Sequence, residues 1–386
     1  MVMDIRNVPF QALGGVFEQD DVDAAVRVMT AAAAPGGNFF PLPEETDFQK
    51  AFAEHEGATF SIVCNSCGTA LDLCMMALKI GPGDEVIVPG QTFVCTATCA
   101  AARGAKIVFA DVDPATMCLD PRAAEKKISK RTKAILPVHF AGHACDVEAF
   151  EGISRRHGIP IIYDAAHAVS TKWKGKPIGQ WGLASCYSFQ SNKNMTTLGE
   201  GGAVVTNDAE FAETIRQGKT FGYVYGPPLR VVSIGFNYRM TKVQAAVGLT
   251  QLAKVDRVIA ERRKRSLKLI DLLKGVEAID LPVGVDDQHG CHLFVIQLDL
   301  TKLACDRDRF RRLLQEKYQV GTAVHYPAVW DWEVAKTFEF DNSNCPDTER
   351  ICRSVVSLPV FPHSTDDDLA YVAWSVKQVV AETRRK

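Results

Sequence analysis

From about residue 55 to residue 210 the chain alternates two kinds of apolar pattern. Short runs rich in β-branched and aromatic residues read as strands: Phe60 to Cys64, Glu85 to Pro89, Lys106 to Ala110, Ala134 to His139, Ile159 to Tyr163, Cys186 to Phe189 and Ala203 to Thr206. Between most of them apolar residues recur at helical intervals, as at Ala70, Leu71, Leu73, Cys74, Ala77 and Leu78, a segment closed by Gly81-Pro82-Gly83. Strand and helix in alternation predict a largely parallel, seven-stranded sheet with covered faces, because a parallel crossover needs about a helix's length of chain.

After Arg239 the texture changes. Val243, Ala246, Val247, Leu249, Leu252 and Val255 mark one long helix from Thr241 to about Lys274. A smaller α/β region follows, with a strand at His292 to Leu298, a helix around Asp306 to Lys317 and a terminal helix from Asp366. The pattern therefore predicts an α/β protein with a large domain over residues 26–255 and a smaller C-terminal α/β domain over 256–386, on which residues 1–25 are expected to pack. No repeat or low-complexity segment interrupts it.

Charge narrows the function. The chain carries 44 Lys and Arg against 46 Asp and Glu, a formal net of -2, and nucleic acid is not the expected partner. The cluster Glu261-Arg262-Arg263-Lys264-Arg265 reads as a solvated helix face. The start, Met1-Val2-Met3-Asp4-Ile5-Arg6, lacks the basic and apolar parts of a signal peptide, no apolar run approaches a membrane span, and a cytoplasmic protein is expected. Twelve cysteines scattered over this length suggest reduced thiols, and Cys64 and Cys67, a lone C-x-x-C, offer two of the four ligands zinc takes, so no metal site is expected.

Two residues carry the chemistry. Asp164 ends the apolar run Ile161-Ile162-Tyr163, at the C-terminal end of a strand, where open α/β sheets bind ligands. Lys193 stands 29 residues later, in Ser188-Phe189-Gln190-Ser191-Asn192-Lys193, ahead of the turn Gly199-Glu200-Gly201-Gly202. A loop amine and a strand-end carboxylate are what pyridoxal 5'-phosphate (PLP) requires: one forms the Schiff base, the other keeps the pyridine nitrogen protonated. Each has a plainer reading, a helix cap for Asp164 and a surface lysine for Lys193. Ser66-Cys67-Gly68-Thr69, between a strand and a helix, is either a phosphate cradle or a simple cap, and Phe93 is either a ring that stacks on the cofactor or a core residue.

In this order the motifs resemble the DegT/DnrJ/EryC1/StrS family of PLP-dependent sugar aminotransferases, a branch of the aspartate aminotransferase, or fold type I, superfamily. The resemblance covers about Glu54 to Pro362. It rests on Ser66 to Leu71, Gly83 to Pro89, Asp164-Ala165-Ala166-His167-Ala168, Ser188 to Lys193 with Gly199 to Gly202, Gly235-Phe236-Asn237-Tyr238-Arg239-Met240, and Cys345-Pro346 with Leu358-Pro359.

The resemblance implies the PLP-dependent transferase fold and assigns roles by position. Lys193 holds PLP covalently, Asp164 faces the pyridine nitrogen, and His167 stands near the phenolic oxygen. Gly68, Thr69 and Ser188 form the phosphate cradle and Phe93 stacks on the ring. Asn237 reaches the phosphate in the neighbouring subunit, which implies a homodimer with shared active sites; Arg239 in the same motif either binds substrate or makes a structural ion pair. The activity implied is transfer of an amino group from an L-amino acid, glutamate first, to a keto or aldehyde group of a sugar, sugar acid or cyclitol, nucleotide-linked or free. Its rivals are a PLP-dependent lyase or dehydratase and a non-catalytic regulator. A branch of the family replaces the lysine by histidine and dehydrates, and Lys193 argues against it. His325-Tyr326-Pro327-Ala328-Val329-Trp330 departs from the His-Tyr-x-Pro-x-His pattern of many nucleotide-sugar members.

Overall fold

The computed structural model describes residues 3–11, 13–40 and 42–385. The seven expected strands form one sheet: β1 (Phe60–Cys64), β2 (Glu85–Pro89), β3 (Lys106–Ala110), β4 (Thr132–Ile135), β5 (Ile162–Asp164), β6 (Ala184–Ser188) and β7 (Gly202–Thr206). The order across it is β1-β7-β6-β5-β4-β2-β3, with single parallel bridges from Ile135 to Ile161 and from Val138 to Asp164 joining its two halves. Only β7 runs against its neighbours, and the two-residue strand Phe340–Asp341 extends the far edge beside β3.

Helices cover both faces: α1 (Gln19–Ala33), α2 (Glu44–His55), α3 (Cys67–Ala77), α4 (Cys95–Ala101), α5 (Pro121–Lys126), α6 (Val147–His157), α7 (Ala209–Lys219) and α8 (Lys242–Leu273). Alternate strand residues divide between the faces, as a period of two requires. Ile62, Val86, Ile107, Phe109, Ile162 and Val204 pack under α3, α4 and α7. Val63, Tyr187 and Val205 face α2 and α8, while Ile87, Val108 and Tyr163 face α5 and α6. On this second face Phe52 meets Tyr187 and Phe189 edge to face at 5.1 Å each, and all three are fully buried. Truncating one such ring to alanine costs about 3–5 kcal/mol.

A separate core belongs to the C-terminal region. There β8 (Phe294–Leu298) pairs antiparallel with β9 (Val355–Leu358), and α9 (Arg307–Tyr318) and α11 (Asp366–Thr383) lie against them, α10 (Pro346–Ser354) leading into β9. The long helix α8 belongs to both cores: Ala245, Val255 and Ile259 pack against the main sheet, Leu269 and Leu273 against the second core. It is capped at its start by a reciprocal Thr241–Gln244 pair. A division of the chain at 255/256 falls inside it. From the N-terminal region, Val8 bridges to Val320, while Ala24 and Val28 of α1 pack on Ala246 and Val247 of α8.

The expected solvated face at 261–265 needs correction at Arg262. Arg262 is buried, and its guanidinium donates to the carbonyls of Gly14 at 2.6 Å, Cys291 at 2.7 Å and His292. Lys264 stays on a solvated stripe of the helix with Arg257, Ala260 and Leu267, but Arg262 falls on the packed side, where its fork meets three carbonyls that no N–H of their own segment satisfies. Cys64 and Cys67 are buried in the core below α3.

Candidate active site

Strand parity builds the site. Tyr163 and Tyr187 are locked into the second face, so their neighbours Asp164 and Ser188 point to the first, at the C-terminal ends of two parallel strands. Asp164 pairs in register with Cys186, and Ala165 N–H donates to the Cys186 carbonyl at 2.8 Å. The N-terminus of α3 comes to the same place because Gly202 lets β7 run against the Ser66–Cys67 turn; a Cβ at 202 would lie 2.4 Å from the Ser66 carbonyl carbon. Asn65 N–H donates to the Tyr238 carbonyl at 2.9 Å, which holds the turn from the other side.

The loop that carries Lys193 is pinned at its neck. Phe189 N–H donates to the Gly201 carbonyl at 2.9 Å, Thr197 N–H to the Phe189 carbonyl at 3.1 Å, and the buried Phe189 and Met195 anchor its two ends. Gly14 packs on its outer side: its N–H donates to the Ser191 carbonyl at 3.0 Å, and a Cβ at 14 would collide with the Asn192 carbonyl.

The cavity these elements enclose, about 520 Å³, is lined by Ser66, Gly68, Phe93, Asp164, His167, Ser188, Lys193, Tyr326 and their neighbours. Two larger depressions, of about 670 and 820 Å³, contain neither Asp164 nor Lys193. Six of the eight expected site residues thus meet in one place. Thr69 does not line the cavity: its N–H donates to Ser66 Oγ at 3.1 Å and its Oγ1 accepts from Ser66 N–H at 3.2 Å, a capping box that leaves the Cys67 and Gly68 N–H groups without helical partners. Asn237 is exposed and outside the cavity, its Oδ1 accepting from Arg239 Nε at 2.8 Å. Arg239 makes no ion pair among the described residues; its guanidinium lies over the Phe221 ring and lines the 670 Å³ depression. Phe93 is 55% exposed, in edge contact with Tyr326.

The charges follow from burial. Asp164 is 2% exposed, and desolvation raises its pKa against the Thr96 hydroxyl, the Ala166 N–H and the Lys193 amine, all of which favour the carboxylate. Desolvation likewise lowers Lys193, toward the neutral, nucleophilic amine; the side chain is enclosed by protein and open to the cavity. Cys95, pushed up to about 12, and Cys67, raised well above its ordinary value, stay protonated beside it. His167 is held neutral by burial first and Lys193 second. Its Nδ1 accepts from Ala141 N–H at 3.3 Å and its Nε2 lies 3.2 Å from the Tyr326 hydroxyl.

Sequence reasoning missed Thr92 and Thr96 and gave Tyr326 no role. Two threonines four apart, flanking Phe93 just after a strand, were the available signal for the first pair. Tyr326 comes from the far end of the chain, and no local pattern brings it here.

The residues present fit PLP. A buried carboxylate faces an enclosed amine, and two helix N-terminal N–H groups stand free beside Gly68 and Ser188, which line the same cavity.

Comparison with known proteins agrees. Residues 21–377 match the model of the DegT/DnrJ/EryC1/StrS aminotransferase family. The chain is 35% identical over 350 residues to the spore coat polysaccharide biosynthesis protein SpsC of Bacillus subtilis, covering 88% of this chain and 90% of SpsC. The structure of S. venezuelae DesV in complex with a ketimine intermediate superposes with a TM-score of 0.85 at 32% identity, over 93% of this chain and 94% of that one. Helicobacter pylori PseC, an aminotransferase involved in the biosynthesis of pseudoaminic acid, gives 0.89 at 26% identity, over 97% of this chain and all (100%) of that one.

Proposed function

The chain belongs to the DegT/DnrJ/EryC1/StrS aminotransferase family, whose enzymes are PLP-dependent sugar aminotransferases, and we propose that it moves an amino group from L-glutamate to a keto or aldehyde group of a sugar, sugar acid or cyclitol. The observation that carries this reading is the convergence of Lys193 and Asp164 in one enclosed cavity at the ends of parallel strands. PLP, when bound, supplies a ring that withdraws electrons from the substrate carbon bearing the nitrogen.

The chain's own residues do the rest. Lys193 would hold the cofactor covalently, and its free amine would take the proton from the substrate's nitrogen-bearing carbon and deliver it to the cofactor carbon that gains a hydrogen. Asp164 holds the proton on the pyridine nitrogen. The N–H groups of Cys67 and Gly68, with the Ser188 hydroxyl, bind phosphate, Phe93 covers the ring, and neutral His167 stands near the phenolic oxygen.

We further propose a cytoplasmic homodimer in which Asn237 serves the partner's site. Supporting it, Phe221, Tyr225, Val231, Ile234 and Phe236 expose a large apolar patch around Asn237, with Ile234 80% exposed. Among the described residues no helix is long and apolar enough to cross a membrane.

The test is a full-turnover exchange: L-glutamate should convert the bound cofactor to its amine form, read by absorbance, and a keto sugar should convert it back. Glutamate-dependent elimination without amine transfer would place the protein among the lyases, and no spectral response to any amino acid would refute an aminotransferase.

A further inference from the structure

Burial favours the protonated form of Asp164, and a protonated acid cannot hold a positive charge on a pyridine nitrogen. Two donors oppose it. Ala166 N–H donates to Oδ1 at 3.0 Å and the Thr96 hydroxyl to Oδ2 at 2.7 Å. Thr96 and Thr92 are themselves buried, and their hydroxyl oxygens lie 2.7 Å apart. A hydroxyl has one proton, and that of Thr96 is given to the carboxylate, so the proton between the two threonines belongs to Thr92. The chain of donors runs one way, from Thr92 to Thr96 to Asp164.

Local structure explains why both hydroxyls arrive. The segment after β2 turns so that Thr96 N–H donates to the Phe93 carbonyl at 3.1 Å, which puts Thr92 and Thr96 on one inner face and leaves Phe93 in the cavity. The other groups facing Asp164 are Cys67 on α3, Cys95 and Cys99 on α4, Cys186 on β6, Lys193 and Tyr326. Burial keeps the four thiols and the phenol neutral, so they give Asp164 no countercharge. Lys193 is the one cation of the set, and the same burial draws it toward neutrality. The Thr96 hydroxyl is therefore the side-chain donor on which ionisation of Asp164 depends.

We propose that Thr96 is a positioning residue for the transfer reaction, holding the Asp164 carboxylate ionised and aimed at the pyridine nitrogen, and that Thr92 fixes the direction of its hydroxyl. The proposal rests on the reading of Asp164 as the partner of that nitrogen. Thr96→Val keeps the shape and removes the donor; Thr96→Ser keeps the donor. In the holoenzyme, Thr96→Val should weaken cofactor binding, read by fluorescence quenching, by about tenfold or more, the worth of a hydrogen bond to a charged group. It should shift the pH titration of the bound cofactor's absorbance by about one unit and lower kcat more than it changes KM. Thr96→Ser should return each value to within about twofold of wild type.

Wild-type affinity and titration in Thr96→Val would overturn the proposal, and so would a Thr96→Ser protein as impaired as the valine variant, which would mark a packing role. Thr92→Val, which leaves Asp164 untouched, should show the same shift in smaller measure; it carries the test if Thr96→Val does not fold, and no shift there overturns the proposal. Asp164→Asn separates the two levels. If it leaves the titration unchanged, the reading of Asp164 itself fails; if it alters the titration while the threonine variants do not, only the inference fails.

Discussion

The hydroxyl of Tyr326 lies 3.2 Å from Nε2 of His167, joining the C-terminal region to the turn after β5. Because His167 Nδ1 accepts the Ala141 N–H and burial keeps the ring neutral, the ring proton sits on Nε2 and is donated to the Tyr326 oxygen. The Tyr326 hydroxyl hydrogen is then free to donate into the cavity both residues line. Replacing Tyr326 by Phe should leave the protein folded and loaded and lower kcat/KM for the acceptor by about tenfold, the worth of one hydrogen bond. Half-reaction rates with the two substrates check it; unchanged acceptor kinetics would remove Tyr326 from the site.

Lys193 should carry the cofactor. Borohydride reduction of the holoenzyme followed by peptide mapping should place the pyridoxyl group on Lys193, and Lys193→Ala should abolish turnover while leaving the fold intact. Label on another lysine would overturn the assignment.

Active sites should be completed across a dimer. Lys193→Ala and a severe Asn237 variant, each inactive alone, should recover activity when mixed, since a mixed dimer holds one site with both residues intact. Absence of recovery despite proven subunit exchange would refute sharing, and a fully active monomer at low concentration would refute the dimer requirement.

Arg262 should be costly to remove. Arg262→Met leaves the carbonyls of Gly14, Cys291 and His292 without their donor, and unfolding in denaturant should show a loss of about 3 kcal/mol or more. Arg262→Lys should restore only part of it, because one ammonium cannot reproduce the fork. A loss under about 0.5 kcal/mol, the range of surface substitutions, would contradict this role.

His139 should make the fold acid-labile. Its ring is fully buried with Nδ1 accepting the Cys145 N–H, and burial depresses its pKa from 6.5 to about 3. Below the unfolded value the unfolded chain binds a proton that the folded ring refuses, so this contribution to stability rises with pH between those two values and is flat above. His139→Gln should lower the slope of stability against pH in that window by about 1.4 kcal/mol per unit. Asp164 and Glu56, raised by burial, act in the opposite direction, so the difference between variant and wild type is the measure. Equal slopes in urea unfolding from pH 4 to 7 would refute the assignment.

Much of the fold was legible because period-two and helical apolar patterns are local properties: all seven strands of the main sheet lie where alternation put them, within a few residues. Asp164 and Lys193 were legible for the same reason, one at a strand end and the other in a glycine-bounded loop. The direction of β7 and the edge strand Phe340–Asp341 were not, since pairing partners are chosen by tertiary packing and leave no mark on a strand's own pattern. The charge run at 261–265 misled for a related reason: periodicity tells which residues share a helix face and is silent on what that face meets.

The sequence by itself determined the element types, the cofactor chemistry and six of the residues that line the cavity, because each depends on short stretches of chain whose residue types restrict backbone and charge. Only the tertiary structure decided that Thr69 closes a cap, that Thr92 and Thr96 donate toward Asp164, that Tyr326 reaches His167 from 159 residues away, and that Arg262 is buried. Each of these is a hydrogen bond or a burial whose partner is fixed by how the elements pack, and a donor's partner is a property of space, which residue order alone does not encode.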